Sequence, residues 1–143
     1  MLNRIDLHES YMQIAEIRAQ RSKAIRKKVG AIIVKDDTII SDGYNGVPSG
    51  AKDDTCEYVD EDGNLKTKDD VLHAESNALM KLVRNAGSPS SSGATLYVTM
   101  SPCKDCAKLI IQSKITTVYF RELYRDSSGV DKLKEYGVVV NQI

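Results

Sequence analysis

Two short strings, His73-Ala74-Glu75 and Pro102-Cys103-Lys104-Asp105-Cys106, constrain the fold of this chain more than any other feature. They supply one imidazole, two thiols and one carboxylate. If one ion is to be held by His73, Cys103 and Cys106, the fold must carry two distant segments to one point. Three protein ligands leave the fourth tetrahedral position of zinc open, which separates a catalytic zinc from a structural one. Glu75 is then left over as a proton carrier. Cys103 and Cys106 lie three apart, so on a helix they share one face. Pro102 in front of them suits a helix start, where a missing N–H costs nothing. Thiolates at that end are favoured by the positive pole of the helix dipole. Two thiolates nearly neutralise the ion, so neutral His73 is a fitting third ligand. His73 and Glu75 are two apart and would not face each other inside a regular helix. This predicts that His73 sits in a non-helical turn leading into the helix.

Each string has a plainer reading when taken alone. A CxxC opening an apolar helix after a strand also fits a thioredoxin-like redox pair or half of a structural zinc knuckle. A closed structural site needs a fourth strong ligand, and Cys56 and His8 are what remains to supply it. The rest of the composition narrows the setting. The 143 residues predict a single domain, 1–143, with one core. Net charge is zero and no basic tail is present, which argues against a protein living on polymeric nucleic acid. No apolar run approaches membrane-spanning length, and the polar segment 1–10 does not read as a signal peptide. Three cysteines, two of them committed to metal, give no disulfide framework and point to a reducing cytoplasm. Cys56 reads as a free loop thiol.

Ile5, Met12, Ile14 and Ile17, spread among polar residues, predict an amphipathic helix over 6–20 with these residues inward. The apolar run 29–34 reads as a buried strand, Asp36-Asp37 as a turn, and 38–41 as the returning strand of a hairpin. From 43 to 70 the chain is rich in Gly, Asp, Lys and Asn, so 43–72 is expected to be a long functional loop. A helix over 73–85 is expected to point Ala78, Leu79, Leu82 and Val83 inward and to stop at Gly87. Residues 88–93 form a Ser/Pro/Gly linker, read as mobile. Strands are predicted at 94–100, 116–120 and 138–140, with helices at 103–113 and 130–136. Alternation of helix and strand in this half favours parallel neighbours joined by crossovers. Both metal-binding helices then begin on the same side of the sheet.

The combined pattern H-x-E…P-C-x-x-C is a known signature of zinc-dependent nucleobase deaminases. Further strings carry a closer likeness: Arg21-Ser22-Lys23 ahead of Val29-Gly30-Ala31, Gly43-Tyr44-Asn45-Gly46 followed by Pro48, His73-Ala74-Glu75-Ser76-Asn77-Ala78, and Cys106-Ala107-Lys108-Leu109-Ile110-Ile111-Gln112. On these the chain resembles the cytidine-deaminase superfamily, and within it the deoxycytidylate (dCMP) deaminases, from about residue 21 to about 140. The resemblance implies an α/β, three-layer fold with a mixed five-stranded sheet and helices on both faces. It implies one catalytic Zn²⁺ per chain on His73, Cys103 and Cys106, with Glu75 shuttling protons during hydrolytic deamination of dCMP to dUMP and ammonia, a step that supplies dTMP synthesis. It also implies a homohexamer activated by dCTP and inhibited by dTTP, with Mg²⁺ accompanying the triphosphate. Some relatives bind a second, structural zinc in the long loop. Here Cys56 stands alone among acidic residues, so no second zinc is expected.

For the substrate, the resemblance points to Ser22, Lys23, Asn45, Ala74, Ser101 and Tyr124. For the regulatory nucleotide it points to Gly43, Tyr44, Asn45, Gly46, Arg26 and Lys28. The basic run 21–28 could hold a phosphate or could be a solvated helix end. Asn45 could hold the sugar or the base, or serve as a turn residue between glycines. Tyr124 could lean on the deoxyribose or be an ordinary half-exposed aromatic. The nearest rival is a deaminase of a free base, a nucleoside or a pterin-like ring. A polynucleotide deaminase should be more basic and richer in stacking aromatics than seven Tyr, one Phe and no Trp allow. A non-catalytic zinc scaffold would have no use for Glu75.

Overall fold

The structure is a computed structural model and describes residues 3–143; Met1 and Leu2 of the polar N-terminal segment lie outside the described residues. Helix α1 (Leu7–Ala19) is capped by Asp6, whose carboxylate accepts the Glu9 N–H at 3.1 Å. A hairpin of β1 (Gly30–Lys35) and β2 (Thr38–Tyr44) follows. It turns on Asp36 and Asp37, with φ of 50° and 54°. Two successive left-handed residues match the twist of the paired strands, and aspartate is among the few non-glycine residues that tolerate them. After a small hairpin, β3 (Glu57–Val59) with β4 (Leu65–Thr67), the chain alternates α2 (Ala74–Arg84), β5 (Thr95–Met100), α3 (Lys104–Gln112), β6 (Thr117–Glu122), α4 (Ser128–Glu135) and β7 (Val139–Gln142).

The main sheet runs β2-β1-β5-β6-β7. The β1 strand pairs antiparallel with both β2 and β5, while β5, β6 and β7 are parallel, as the crossovers through α3 and α4 require. This is the expected mixed five-stranded α/β sheet. The apolar run in β1 is explained by period two. Ala31 and Ile33 join the core with Ala78, Leu96, Ile110 and Leu133 on one face. Ile32 and Val34 join Tyr11, Met12, Ala15 and Tyr97 on the other. A strand covered on both faces has no polar positions to alternate.

Four expectations need correction. Of the four residues assigned to the inner face of α1, Met12 alone is buried; Ile5, Ile14 and Ile17 are exposed, and Tyr11, Ala15 and Ala19 face the sheet instead. At 3.6 residues per turn, Ile14 and Ile17 fall roughly 200° and 140° around from Met12 and cannot share its face. On α2, Val83 is exposed, because the buried stripe is Ala74, Glu75, Ala78 and Leu79, with Leu82 partly buried. The stretch 43–72 is also more ordered than a loop. Gly43 and Tyr44 belong to β2, β3 and β4 form their own hairpin, and Gly46 bridges to Leu72. The 88–93 linker is tied down as well: Ser91 Oγ donates to the Ser113 carbonyl and the Gly93 N–H to that of Lys114, both at 2.8 Å.

The contact that places the first string is between β2 and α2. A Cβ on Gly43 would lie 2.4 Å from the Ala74 carbonyl oxygen and 2.6 Å from the Ala78 nitrogen, so only glycine lets the helix come this close. Ser41 Oγ donates to the Ala78 carbonyl at 2.6 Å, and Asn77 Nδ2 to the Tyr44 carbonyl at 2.8 Å. Asp42 binds Lys81 at 2.8 Å and also Arg18, joining α2 and α1 to the same strand. Burial opposes ionisation of Asp42, but Lys81 and Arg18 outweigh it and hold the carboxyl below its ordinary 3.8.

Two outcomes follow from this packing. Gly43→Ala should destabilise the chain by about 1–3 kcal/mol, the usual cost of forcing a methyl into a filled contact, read by chemical denaturation. Because the Asp42 carboxyl is depressed in the folded state, its contribution is fully present above the unfolded value and is lost as pH falls through the folded one. Wild type should therefore lose stability below about pH 4 more steeply than Asp42→Asn, measured as melting temperature against pH.

Candidate active site

Two helix starts meet at the ends of the central strands. His73 is the N-cap of α2, with extended backbone (φ −78°, ψ 160°), and Cys103 is the N-cap of α3 (φ −73°, ψ 170°). The non-helical position of His73 is as expected. The second string differs from expectation in detail: α3 begins one residue later, and Pro102 lies just outside it. Cys103 and Cys106 thus occupy the N-cap and third helical positions, whose side chains face one another as in a capping box. Backbone crowding holds this turn in place. A Cβ on Gly129 would lie 2.0 Å from the Pro102 carbonyl oxygen, so α4 presses directly on the loop bearing Cys103.

His73 Nδ1 lies 3.3 Å from Cys106 Sγ and 3.4 Å from Cys103 Sγ. All three donor atoms lie within 4.8 Å of one another. Tetrahedral zinc with ordinary Zn–N and Zn–S bonds sets ligand atoms about 3.5–3.8 Å apart, so the donor set and its spacing fit zinc. Cys106 holds the Cys103 thiol down to about 4, with His73 assisting. Cys106 itself is pushed up by Cys103 and by burial. Cys103 raises the His73 imidazole against the effect of burial. Glu75 is buried, and burial pushes its carboxyl up to about 7.

His73, Glu75 and Cys103 open onto a cavity of about 410 Å³, a size suited to a small organic ligand. Asn45, Ala74, Ser101 and Tyr124, all singled out from sequence, line it too. Two of them also brace the site. Asn45 accepts the Val29 N–H through Oδ1 (2.9 Å) and donates through Nδ2 to the Lys27 carbonyl (2.8 Å). Ser101 Oγ accepts the Tyr124 N–H at 2.6 Å, clipping the loop after β6 over the cavity. Ser22 does not reach the lining; it is buried and donates to the Asn45 carbonyl at 2.8 Å. Lys23 is exposed and paired with Asp54.

Of the residues assigned to a regulatory nucleotide, Asn45 and Arg26 border the cavity, whereas Gly43, Tyr44, Gly46 and Lys28 do not. The N–H groups of Asn45 and Gly46 already donate to the Val29 and Leu72 carbonyls, so within one chain they cannot cradle a phosphate. Sequence reading passed over Glu57, Thr67 and Arg125 in the cavity wall. Cys56, read as a loop thiol, is buried there, and burial raises its thiol.

Residues 5–122 match the family described as the cytidine and deoxycytidylate deaminase zinc-binding region. The chain belongs to the cytidine and deoxycytidylate deaminase family. Among curated proteins, the human deoxycytidylate deaminase is 42% identical over 123 residues, covering 83% of this chain and 67% of that protein. A similarly named protein of Caenorhabditis elegans is 40% identical over 116 residues, 80% of this chain; the chain spans 57% of that relative's length. Among solved structures, the dCMP deaminase of cyanophage S-TIM5 in complex with dCMP and dUMP superposes with a TM-score of 0.89 at 42% identity, covering 99% of this chain and 100% of that one. The deaminase fold, a His/Cys/Cys set whose spacing fits zinc and a buried carboxylate beside it therefore occur together here.

The zinc set makes its own prediction. Purified chain should carry one zinc per chain by elemental analysis. Cys106→Ser should weaken zinc binding by at least about 10- to 100-fold, the loss that even outer-shell changes cause, read by competition with a chromogenic chelator.

Proposed function

We propose that this chain deaminates dCMP hydrolytically, forming dUMP and ammonia. The observation that carries this reading is a buried carboxylate, Glu75, beside a zinc-type His/Cys/Cys set and opening with His73 and Cys103 onto one nucleotide-sized cavity. End-to-end likeness to the cyanophage enzyme bound to dCMP and dUMP supports the choice of base and of monophosphate. Zinc, when bound, supplies the Lewis acidity that makes water nucleophilic near neutral pH. Glu75 takes the proton lost as oxygen bonds to C4 of the cytosine ring and delivers it to N3. It then carries the remaining proton of the C4 hydroxyl to the departing amino group, so that C4=O forms and ammonia leaves as the C4–N bond breaks. Tyr124, held by Ser101, forms a side wall for the sugar and base, and the cavity-lining Lys27 and Arg125 supply cations for the 5′-phosphate. The reaction would proceed where three cysteines stay reduced, in the cytoplasm of the cell or of a phage host. No helix among the described residues is long and apolar enough to cross a membrane.

The same reading includes activation by dCTP, inhibition by dTTP with Mg²⁺ on the triphosphate, and assembly as a hexamer. Since the backbone of 45–46 is already committed, the regulator would bind through side chains such as Arg26 and Lys28 or against a second copy. Substrate-saturation curves for dCMP with and without each triphosphate test this part; curves unmoved by either remove it.

The central test is Glu75→Gln. Loss of the proton carrier should lower kcat for dCMP by at least about 100-fold, in line with general acid–base contributions, while zinc content stays at wild-type level. Near-normal turnover with full zinc would contradict the mechanism.

A further inference from the structure

The two ligand sulfurs stand in different surroundings. Cys103 faces the cavity, whereas Cys106 does not and is 3% exposed. A coordinating thiolate gives one lone pair to the ion and keeps others, and a buried, negatively charged sulfur needs a donor for them. Water has almost no access to Cys106. His73 Nδ1 is the atom turned toward both sulfurs, and once committed to the ion it has no proton to give. Glu75 carries the proton of the reaction and, when ionised, only accepts. The remaining side chain is Ser76, whose Oγ lies 3.9 Å from Cys106 Sγ, within hydrogen-bond reach of sulfur. A thiolate cannot donate, so the hydroxyl does.

The helix itself gives Ser76 no other task. It is the third residue of α2, where a glutamate or glutamine would reach back to the N-cap N–H in a capping box, and serine is too short for that. Serine in a helix competes with the backbone and is a poorer helix former than alanine. Cys106 is the one hydrogen-bond partner of its hydroxyl among the described residues. Cys106 is in turn the third residue of α3, so the two helix starts meet at equivalent positions. On the reading that this chain is a zinc-dependent deaminase, we propose that Ser76 is a positioning residue of the metal set. Its hydroxyl donates to the Cys106 sulfur, holding that thiolate toward the ion and drawing off part of the charge it would give to zinc. Outer partners orient metal ligands, and hydrogen bonds to a coordinating sulfur tune the metal. A sulfur that donates less leaves the metal a stronger Lewis acid, so the contact serves the chemistry as well as the binding.

The experiment loads wild type, Ser76→Ala and Ser76→Thr with zinc and, separately, with cobalt(II). Zinc affinity is read by competition with a chromogenic chelator, and the sulfur-to-cobalt charge-transfer band by absorption. Ser76→Ala should weaken zinc binding by about tenfold or more, as outer-shell changes do. It should also shift the cobalt band to longer wavelength, because a sulfur without its donor gives up an electron more easily. Alanine suits a helix at least as well as serine, so the substitution leaves the fold intact, checked by the melting temperature of the metal-free chain. Ser76→Thr keeps the hydroxyl and should restore both readings. An unmoved band in Ser76→Ala, zinc affinity there within roughly twofold of wild type, or a threonine variant as impaired as the alanine one would each overturn the proposal. So would a wild-type chain that binds neither metal, a result that also removes the zinc reading. A band shift in Ser76→Ala beside zinc-loaded wild type that leaves dCMP untouched would sink the substrate reading and leave this inference standing.

Discussion

The site depends on two helices being held start to start, close enough for His73 and the two cysteines to share one ion. N-cap residues have extended backbones and point across the helix end, which is what lets His73 and Cys103 converge from separate segments. The scaffold enforces that meeting with backbone contacts more than with side chains. At β2 the missing side chain of Gly43 seats α2, and at α4 that of Gly129 seats the turn carrying Cys103. Close-packed interiors transmit such contacts with little slack, so the spacing of the donor atoms is tied to the packing of the two helices.

Once the ligands are placed, the rest of the cavity follows from the sheet topology. Antiparallel β2 and β1 bring Asn45 and the basic segment to one side, and parallel β5 and β6 bring Ser101 and Tyr124 to the other. Ligands in open α/β sheets gather outside the carboxyl ends of parallel strands, and α3 rises from that end of β5. The separate β3–β4 hairpin closes the third side, tied to the basic segment through Glu57 and through Arg26 to Thr67. The floor bearing the chemistry thus meets a third wall that is built outside the main sheet.

Much of this was legible in the chain, because local rules decide it. The unbroken apolar run of β1, the Asp-Asp turn, the strand–helix alternation after residue 94 and the two ligand strings all carry their structural meaning within a few residues. What was not legible depends on contacts between distant segments. The isoleucines of α1 are apolar yet stay outside, since a face is set by angle around the helix and not by apolar content. Strands β3 and β4 are three residues each, and Glu57-Tyr58-Val59 and Leu65-Lys66-Thr67 show no alternation long enough to count. Glu57 looked like one acid among several in a charged stretch; only the fold shows that it holds the Ile25 and Arg26 N–H groups. Asn45 and Ser101 were found as cavity residues, but their bracing roles come from backbone partners that no spacing rule reveals.

The account stands or falls on which ring loses its amino group. Ammonia release should be followed in parallel from dCMP, CMP, deoxycytidine and single-stranded DNA, with zinc quantified in the same preparation. Fastest release from dCMP, by tenfold or more over deoxycytidine and with none from DNA, is the expected result for a cavity with a zinc-type ligand set and cationic flanks. Equal rates on dCMP and deoxycytidine, or release from DNA by the zinc-loaded chain, would contradict it.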